Sequence, residues 1–180
     1  MFFAFIFFEK KHIFAIIMRI ENITYPDVNN GTGCRVTLWI AGCSHHCAGC
    51  HNKETWDFNS GREFTKEDKD KLFEILSLPY IQGLTLSGGD PIDSYNDTLQ
   101  LAEDVKTEFP NKDIWCYTGY TMEYMRDNYP EILKYIDTLV DGEFHIKEKD
   151  VTLAFRGSRN QRIWQKQMNG DFQIFDIENK

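Results

Sequence analysis

The residues whose types and spacing could do chemistry are Cys43, Cys47 and Cys50, set out as Cys-x3-Cys-x2-Cys. That spacing gathers three thiolates on one loop around a single metal centre. Soft thiolates suit zinc or an iron-sulfur cluster, and three of them hold a cubane by three irons while leaving the fourth iron open to an outside ligand. An open iron points to catalysis. His46 and His51 lie in or beside the same loop, and either could complete a tetrahedral zinc site, so the cysteines alone leave both metals open. Cys34 and Cys116 stand apart from the loop and read as core residues.

A second unusual sequence is Ser87-Gly88-Gly89-Asp90-Pro91. By itself it reads as a tight turn. Glycines without side chains also let main-chain groups come close to a ligand or adopt positive φ. Structural zinc needs no second glycine-rich edge, so the pairing of this turn with the cysteine loop favours iron-sulfur.

The elements that must position these residues alternate between strand and helix. The β-branched and apolar run over 35–40 predicts a strand that feeds the cysteine loop. Thr65 to Asp68 resembles a capping box and predicts a helix over 65–76. A strand over 83–86 runs into the glycine pair. A helix over 97–109, a strand over 113–117, short helices over 122–128 and 130–135, and a strand over 138–140 follow. Such alternation implies a parallel sheet whose C-terminal strand ends carry the site. The unusual polar sequences all fall on that edge. The chain is short for a closed eight-fold barrel, so the expected class is α/β with an incomplete, TIM-like βα barrel.

Composition narrows the setting. With 180 residues, 42% of them hydrophobic, the chain suits one domain, assigned to 18–180. A formal net charge of -8 opposes a phosphate-tracking surface, so nucleic acid is not an expected partner. Clustered cysteines differ from a dispersed disulfide framework and fit a reducing, cytoplasmic location. Residues 1–17 hold two apolar runs broken by Glu9, Lys10, Lys11 and His12. Neither run reaches the roughly 20 apolar residues needed to span a bilayer, and the charge order is wrong for a signal peptide. No membrane role is expected, and translation is expected to begin at Met18.

Taken in order, these motifs resemble the radical S-adenosylmethionine (SAM) enzymes, and among them the activating proteins of anaerobic ribonucleoside-triphosphate reductase. The resemblance covers about residues 19–164. It rests on the cysteine loop with Asn52-Lys53-x-Thr55-Trp56, on the glycine turn, and on Lys112-Asp113-Ile114-Trp115 with Tyr117-Thr118-Gly119-Tyr120. Leu139-Val140-Asp141-Gly142 and Arg156-Gly157-Ser158-x-Asn160-Gln161 complete it. The resemblance implies that Cys43, Cys47 and Cys50 ligate one 4Fe-4S cluster whose open iron binds the amino and carboxylate groups of SAM. It places Gly49, Cys50 and His51 near the adenine, Gly88, Gly89 and Asp90 near the methionine amino group, and Asp141 near the ribose hydroxyls. Related enzymes often carry a lysine two residues after that aspartate, where this chain has Glu143.

The implied activity is reductive cleavage of SAM to a 5'-deoxyadenosyl radical that generates a glycyl radical on the reductase. No catalytic side chain is needed beyond cluster and cofactor. A flavodoxin or ferredoxin is the implied electron donor. Activation of another glycyl-radical enzyme such as pyruvate formate-lyase is an alternative. The short chain, Gly49 in place of an aromatic residue, and Asp90 in place of glutamate favour the reductase. A non-catalytic zinc-binding interaction domain is the alternative from another class.

Overall fold

The computed structural model describes residues 18–177. The chain enters along β1 (Arg19–Asp27) and returns antiparallel along β2 (Arg35–Ile40). After the cysteine loop a short edge strand, β3 (Arg62–Glu63), pairs with β1. Helices α1 (Lys66–Ser77), α2 (Tyr95–Glu108) and α3 (Met122–Asn128) then alternate with β4 (Gly83–Gly88), β5 (Asp113–Tyr117) and β6 (Thr138–Asp141). These three strands lie parallel beside β2. Antiparallel β7 (Arg162–Lys166) and β8 (Phe172–Ile174) extend the far edge. The open sheet has eight strands in the order β3-β1-β2-β4-β5-β6-β7-β8.

The expected α/β alternation is therefore present. The expected helix over 130–135 is a single 3-10 turn, Ile132–Lys134, and four strands outside the expected set (β1, β3, β7 and β8) build the sheet's flanks. The apolar stretch 1–17, with the expectation that translation begins at Met18, lies outside the described residues.

Strand periodicity divides the interior. Leu84 and Leu86 of β4, with Ile114 and Cys116 of β5, join the large core against the helices. Trp115 between them joins a smaller cluster with Val140 and Ile163 on the other face. All of β4 is buried, as expected for a parallel strand covered on both sides. Each fully buried leucine or isoleucine contributes roughly 1.5–3 kcal/mol. Cys116 is buried in this core, and Cys34 is half-buried against it.

At the strand ends away from the cysteine loop, Arg35 is buried. Its Nε donates to Thr85 Oγ1 at 2.8 Å, its Nη2 to the Leu84 carbonyl at 2.8 Å, and its Nη1 pairs with Asp113 at 2.7 Å. One cation thus ties β2, β4 and β5 into register.

Helix α1 begins on the expected capping box: Thr65 Oγ1 accepts from the Asp68 N–H, and the Asp68 carboxylate accepts from the Thr65 N–H at 3.0 Å. Arg62 Nη2 donates to the same carboxylate at 2.7 Å. The Arg62 bond is the main reason that Asp68 is held down to about 2 from 3.8. A depressed carboxylate stabilises the fold above its unfolded value and loses that contribution as pH falls through its folded value. Urea melts should therefore show wild type more stable than Asp68→Asn at about pH 5, with the two converging toward about pH 2. A gap that persists unchanged at the acid end would mean that the carboxylate charge is not what Asp68 contributes.

Candidate metal centre

The cysteine loop leaves β2 at Gly42, whose φ of +98° suits a residue without Cβ. The chain returns to close the loop's base: the Gly42 N–H donates to the Thr55 carbonyl at 2.7 Å and the Cys43 N–H to the Trp56 carbonyl at 3.1 Å. Within the loop, His46 (φ +50°) and Gly49 (φ +80°) turn the backbone, and the Cys50 N–H donates to the Cys47 carbonyl at 3.1 Å. Cys43, Cys47 and Cys50 are free and half-buried, and the Asn52 N–H donates to Cys50 Sγ at 3.4 Å. Burial pushes the Cys43 thiol up to about 11 and raises Cys47 as well.

The glycine turn packs onto this loop main chain to main chain. The Gly89 N–H donates to the Ile40 carbonyl at 2.7 Å, the Asp90 N–H to the Gly42 carbonyl at 2.8 Å, and Asn52 Nδ2 to the Gly88 carbonyl at 3.2 Å. A Cβ on Gly88 would stand 2.4 Å from the Ile40 carbonyl oxygen, and one on Gly89 would stand 2.1 Å from that of Gly42. The glycines thus bring the end of β4 against the cysteine loop.

Asp90, only 1% exposed, is a hub between strand ends. Its carboxylate accepts from the Ile92 N–H at 2.9 Å, Thr118 Oγ1 at 2.9 Å and the Gly119 N–H at 2.8 Å. His45 Nε2 stands 3.0 Å from Asp90 Oδ2, and its Nδ1 stands 3.2 Å from Glu143 Oε1. The Asp90 carboxylate beside the ring, working against burial, raises His45 to about 9. Beside it the Ser44 N–H donates to Asp93 at 2.6 Å, and Tyr120 donates its hydroxyl to Asp93 at 3.0 Å.

Asp141 ends β6 as expected, and it is fully buried. It accepts from the Met122 N–H at 2.7 Å and from Arg162, Nε at 3.0 Å and Nη2 at 2.5 Å. Next to it lies an open cleft of about 440 Å³ whose lining includes Gly119, Thr121, Gly142 and Glu143. The 156–161 motif shapes its rim: Asn160 Nδ2 donates to the Glu143 carbonyl at 2.8 Å, and Gln161 Nε2 to that of Gly142 at 3.0 Å. Gly49 and His51 are exposed at the far end of the cysteine loop. Sequence reasoning did not single out His45 and carried Tyr120 only within the 117–120 motif, because their partners come from strand ends distant in the chain.

Among the described residues, no group of three His, Cys, Asp or Glu side chains is preset to hold a single metal ion. What the loop offers is three free, half-buried thiols, and at Cys43 and Cys47 the burial disfavours the anion unless a cationic centre is present. That donor set fits an iron-sulfur cluster. His46, the candidate fourth zinc ligand within the loop, turns its Nδ1 back to the Ser44 carbonyl at 3.1 Å and sets its ring against Trp56.

Residues 29–164 match the family model of the 4Fe-4S single cluster domain. The chain is also 49% identical over 144 residues to the anaerobic ribonucleoside-triphosphate reductase-activating protein of Vibrio cholerae, a match spanning 77% of this chain and 93% of that one. It belongs to this family. The protein of the same name from Enterobacteria phage T4 is 46% identical over 82% of this chain and 94% of its own. That of Escherichia coli (strain K12) is 44% identical over 77% and 94%. Among solved structures, QueE from Escherichia coli is similar at 14% identity and a TM-score of 0.46, over 72% of this chain and 73% of that one. Of the two metals that the cysteine spacing leaves open, the iron-sulfur cluster is the one that the family carries.

Proposed function

We propose that this chain is a radical SAM activase that generates a glycyl radical on anaerobic ribonucleoside-triphosphate reductase, with Cys43, Cys47 and Cys50 holding one 4Fe-4S cluster. The observation that carries the reading is the packing of the three-thiol loop directly onto the Gly88-Gly89 edge. A cluster held by these three thiols would lie beside a strand end whose main chain can hold an amino acid moiety. Held by Cys43, Cys47 and Cys50 and reduced by one electron, a cluster there would supply that electron for cleavage of SAM to methionine and a 5'-deoxyadenosyl radical, which would take a hydrogen atom from a reductase glycine and leave as 5'-deoxyadenosine.

The chain's own residues bind and orient. Gly88 and Gly89 receive the methionine amino group, with Asp90 fixing that edge from beneath. Main chain around Gly49, Cys50 and His51 lies along the adenine. The ribose hydroxyls take the cleft beside Gly142, where Asp141 acts from below by fixing Arg162 and the first turn of α3, and Glu143 stands at the rim. The parallel β2, β4, β5 and β6 form the part of the sheet that we read as an incomplete TIM-like barrel, with its site at the strand C-terminal ends.

A low-potential flavodoxin or ferredoxin is the proposed electron donor, and the cytoplasm the proposed location. Among the described residues, no helix is long and apolar enough to cross a membrane. The deciding experiment is anaerobic reconstitution with iron and sulfide, followed by electron paramagnetic resonance of the reduced protein with and without SAM. A cluster signal altered by SAM is expected; an iron signal indifferent to SAM, or zinc without iron, would overturn the reading.

A further inference from the structure

His45 sits between two of the loop cysteines, yet its side chain belongs to the opposite wall. The imidazole, 10% exposed, spans from Asp90 after β4 to Glu143 after β6, with 3.0 Å and 3.2 Å to the two carboxylates. Between them it lies across the end of β5, edge-on to Tyr120 with ring centroids 4.5 Å apart. Gly119 leaves room for it: a Cβ there would stand 2.5 Å from His45 Cδ2 and 2.7 Å from Cγ. One side chain of the cysteine loop thus touches the segments that follow three successive parallel strands.

The rest of the loop shows why that matters. Its base is tied by main-chain bonds at Gly42 and Cys43, and its end by the bond from Cys50 to Cys47. The stretch 44–47 is held through Ser44, whose N–H and hydroxyl both donate to the Asp93 carboxylate, through His45 on Asp90 and Glu143, and through the His46 ring against Trp56. Without His45 the bonds between the loop base and the glycine edge remain, and the stretch between Cys43 and Cys47 is the part that loses a tie.

We propose that His45 is a positioning residue: the Asp90–His45–Glu143 bridge sets the stretch between Cys43 and Cys47 in one register against Gly88-Gly89, so that SAM on that edge meets the cluster. The proposal rests on the function proposed above. It makes His45 responsible for the coupling of cluster and cofactor, and not for holding iron. Gly119 serves the same end by leaving its position bare for the ring.

The test reconstitutes wild type, His45→Ala, His45→Gln, Gly119→Ala and the His45→Ala/Gly119→Ala pair. It measures iron and sulfide content, the reduced-cluster spectrum with and without SAM, and the SAM dissociation constant. All five should hold wild-type iron. Removing the bridge should weaken SAM binding about tenfold, the size of one interaction with a charged group. His45→Gln should recover part of this through an amide donor to Asp90. Gly119→Ala alone should match His45→Ala, and the pair should be no worse than His45→Ala, because the ring that the new Cβ would displace is gone.

Should His45→Ala fail to fold, His45→Gln and Gly119→Ala carry the same comparison. A wild-type SAM response and affinity in the folded variants would overturn the positioning role, as would loss of iron in step with loss of SAM binding. A wild-type cluster indifferent to SAM would instead overturn the proposed function, and this inference with it.

Discussion

Replacing Cys47 by alanine is expected to leave a folded protein that holds no 4Fe-4S cluster and forms no glycyl radical on the reductase. The reason is the ligand count. Three thiols on one loop are the fewest that hold a cubane while leaving one iron free, and with two the cluster is lost. The fold should survive, because Cys47 is half-buried on a loop outside the large core and is not disulfide-bonded. Cys34→Ala is the matching control: that thiol packs beside the core, away from the loop, and its loss should leave iron, sulfide and activity in place. Iron and sulfide analysis, the reduced-cluster spectrum and the glycyl radical signal of the reductase would all be read on the same preparations. A Cys47→Ala protein that retained the cluster and activated the reductase would remove Cys47 from the ligand set, whereas loss of the cluster in Cys34→Ala would enlarge it.

Much of this site is legible in the sequence because its chemistry is local. The cysteine loop, the glycine turn and the capping box at Thr65 are short-range patterns, and each does in the structure what its spacing implies for the backbone. The central strands are legible for a related reason. Parallel strands buried on both faces carry short stretches of apolar and β-branched residues, as VTLWI does in β2 and LTL in β4. The flanking strands hide from the same reading. Along β1 the register shifts between Ile20 and Asn22 and again between Thr24 and Asp27, so no clean alternation survives, and β8 has only three residues.

The functional part that the sequence conceals is the cross-strand wiring. His45 and Glu143 are 98 positions apart, and only the parallel sheet makes them neighbours. Asp141 is the opposite case. Its place at a strand end is readable, but the burial of its carboxylate against Arg162 and the start of α3 follows from tertiary packing.

Gly89→Ala should keep the cluster and lose about 100-fold in the rate of radical formation, because a displacement of about 1 Å between reacting partners costs that much. The new Cβ would meet the carbonyl oxygens of Gly42 at 2.1 Å and Thr55 at 2.9 Å. Both are main-chain atoms at the base of the cysteine loop, so no side chain can swing aside to relieve the contact. Something in the backbone must move, and the Gly42 carbonyl is already bound to the Asp90 N–H at 2.8 Å. Overpacking of this kind costs roughly 1–3 kcal/mol of stability, which a folded domain tolerates. The displacement falls between the thiol loop and the strand end proposed to hold the methionine amino group, where tolerance is smallest. Iron content near that of wild type, a modestly lower melting temperature and a much slower radical yield are the expected set. Radical formation at the wild-type rate would show that the loop yields to the added methyl, and that close packing of the glycine turn on the cysteine loop is not what aligns cluster and cofactor.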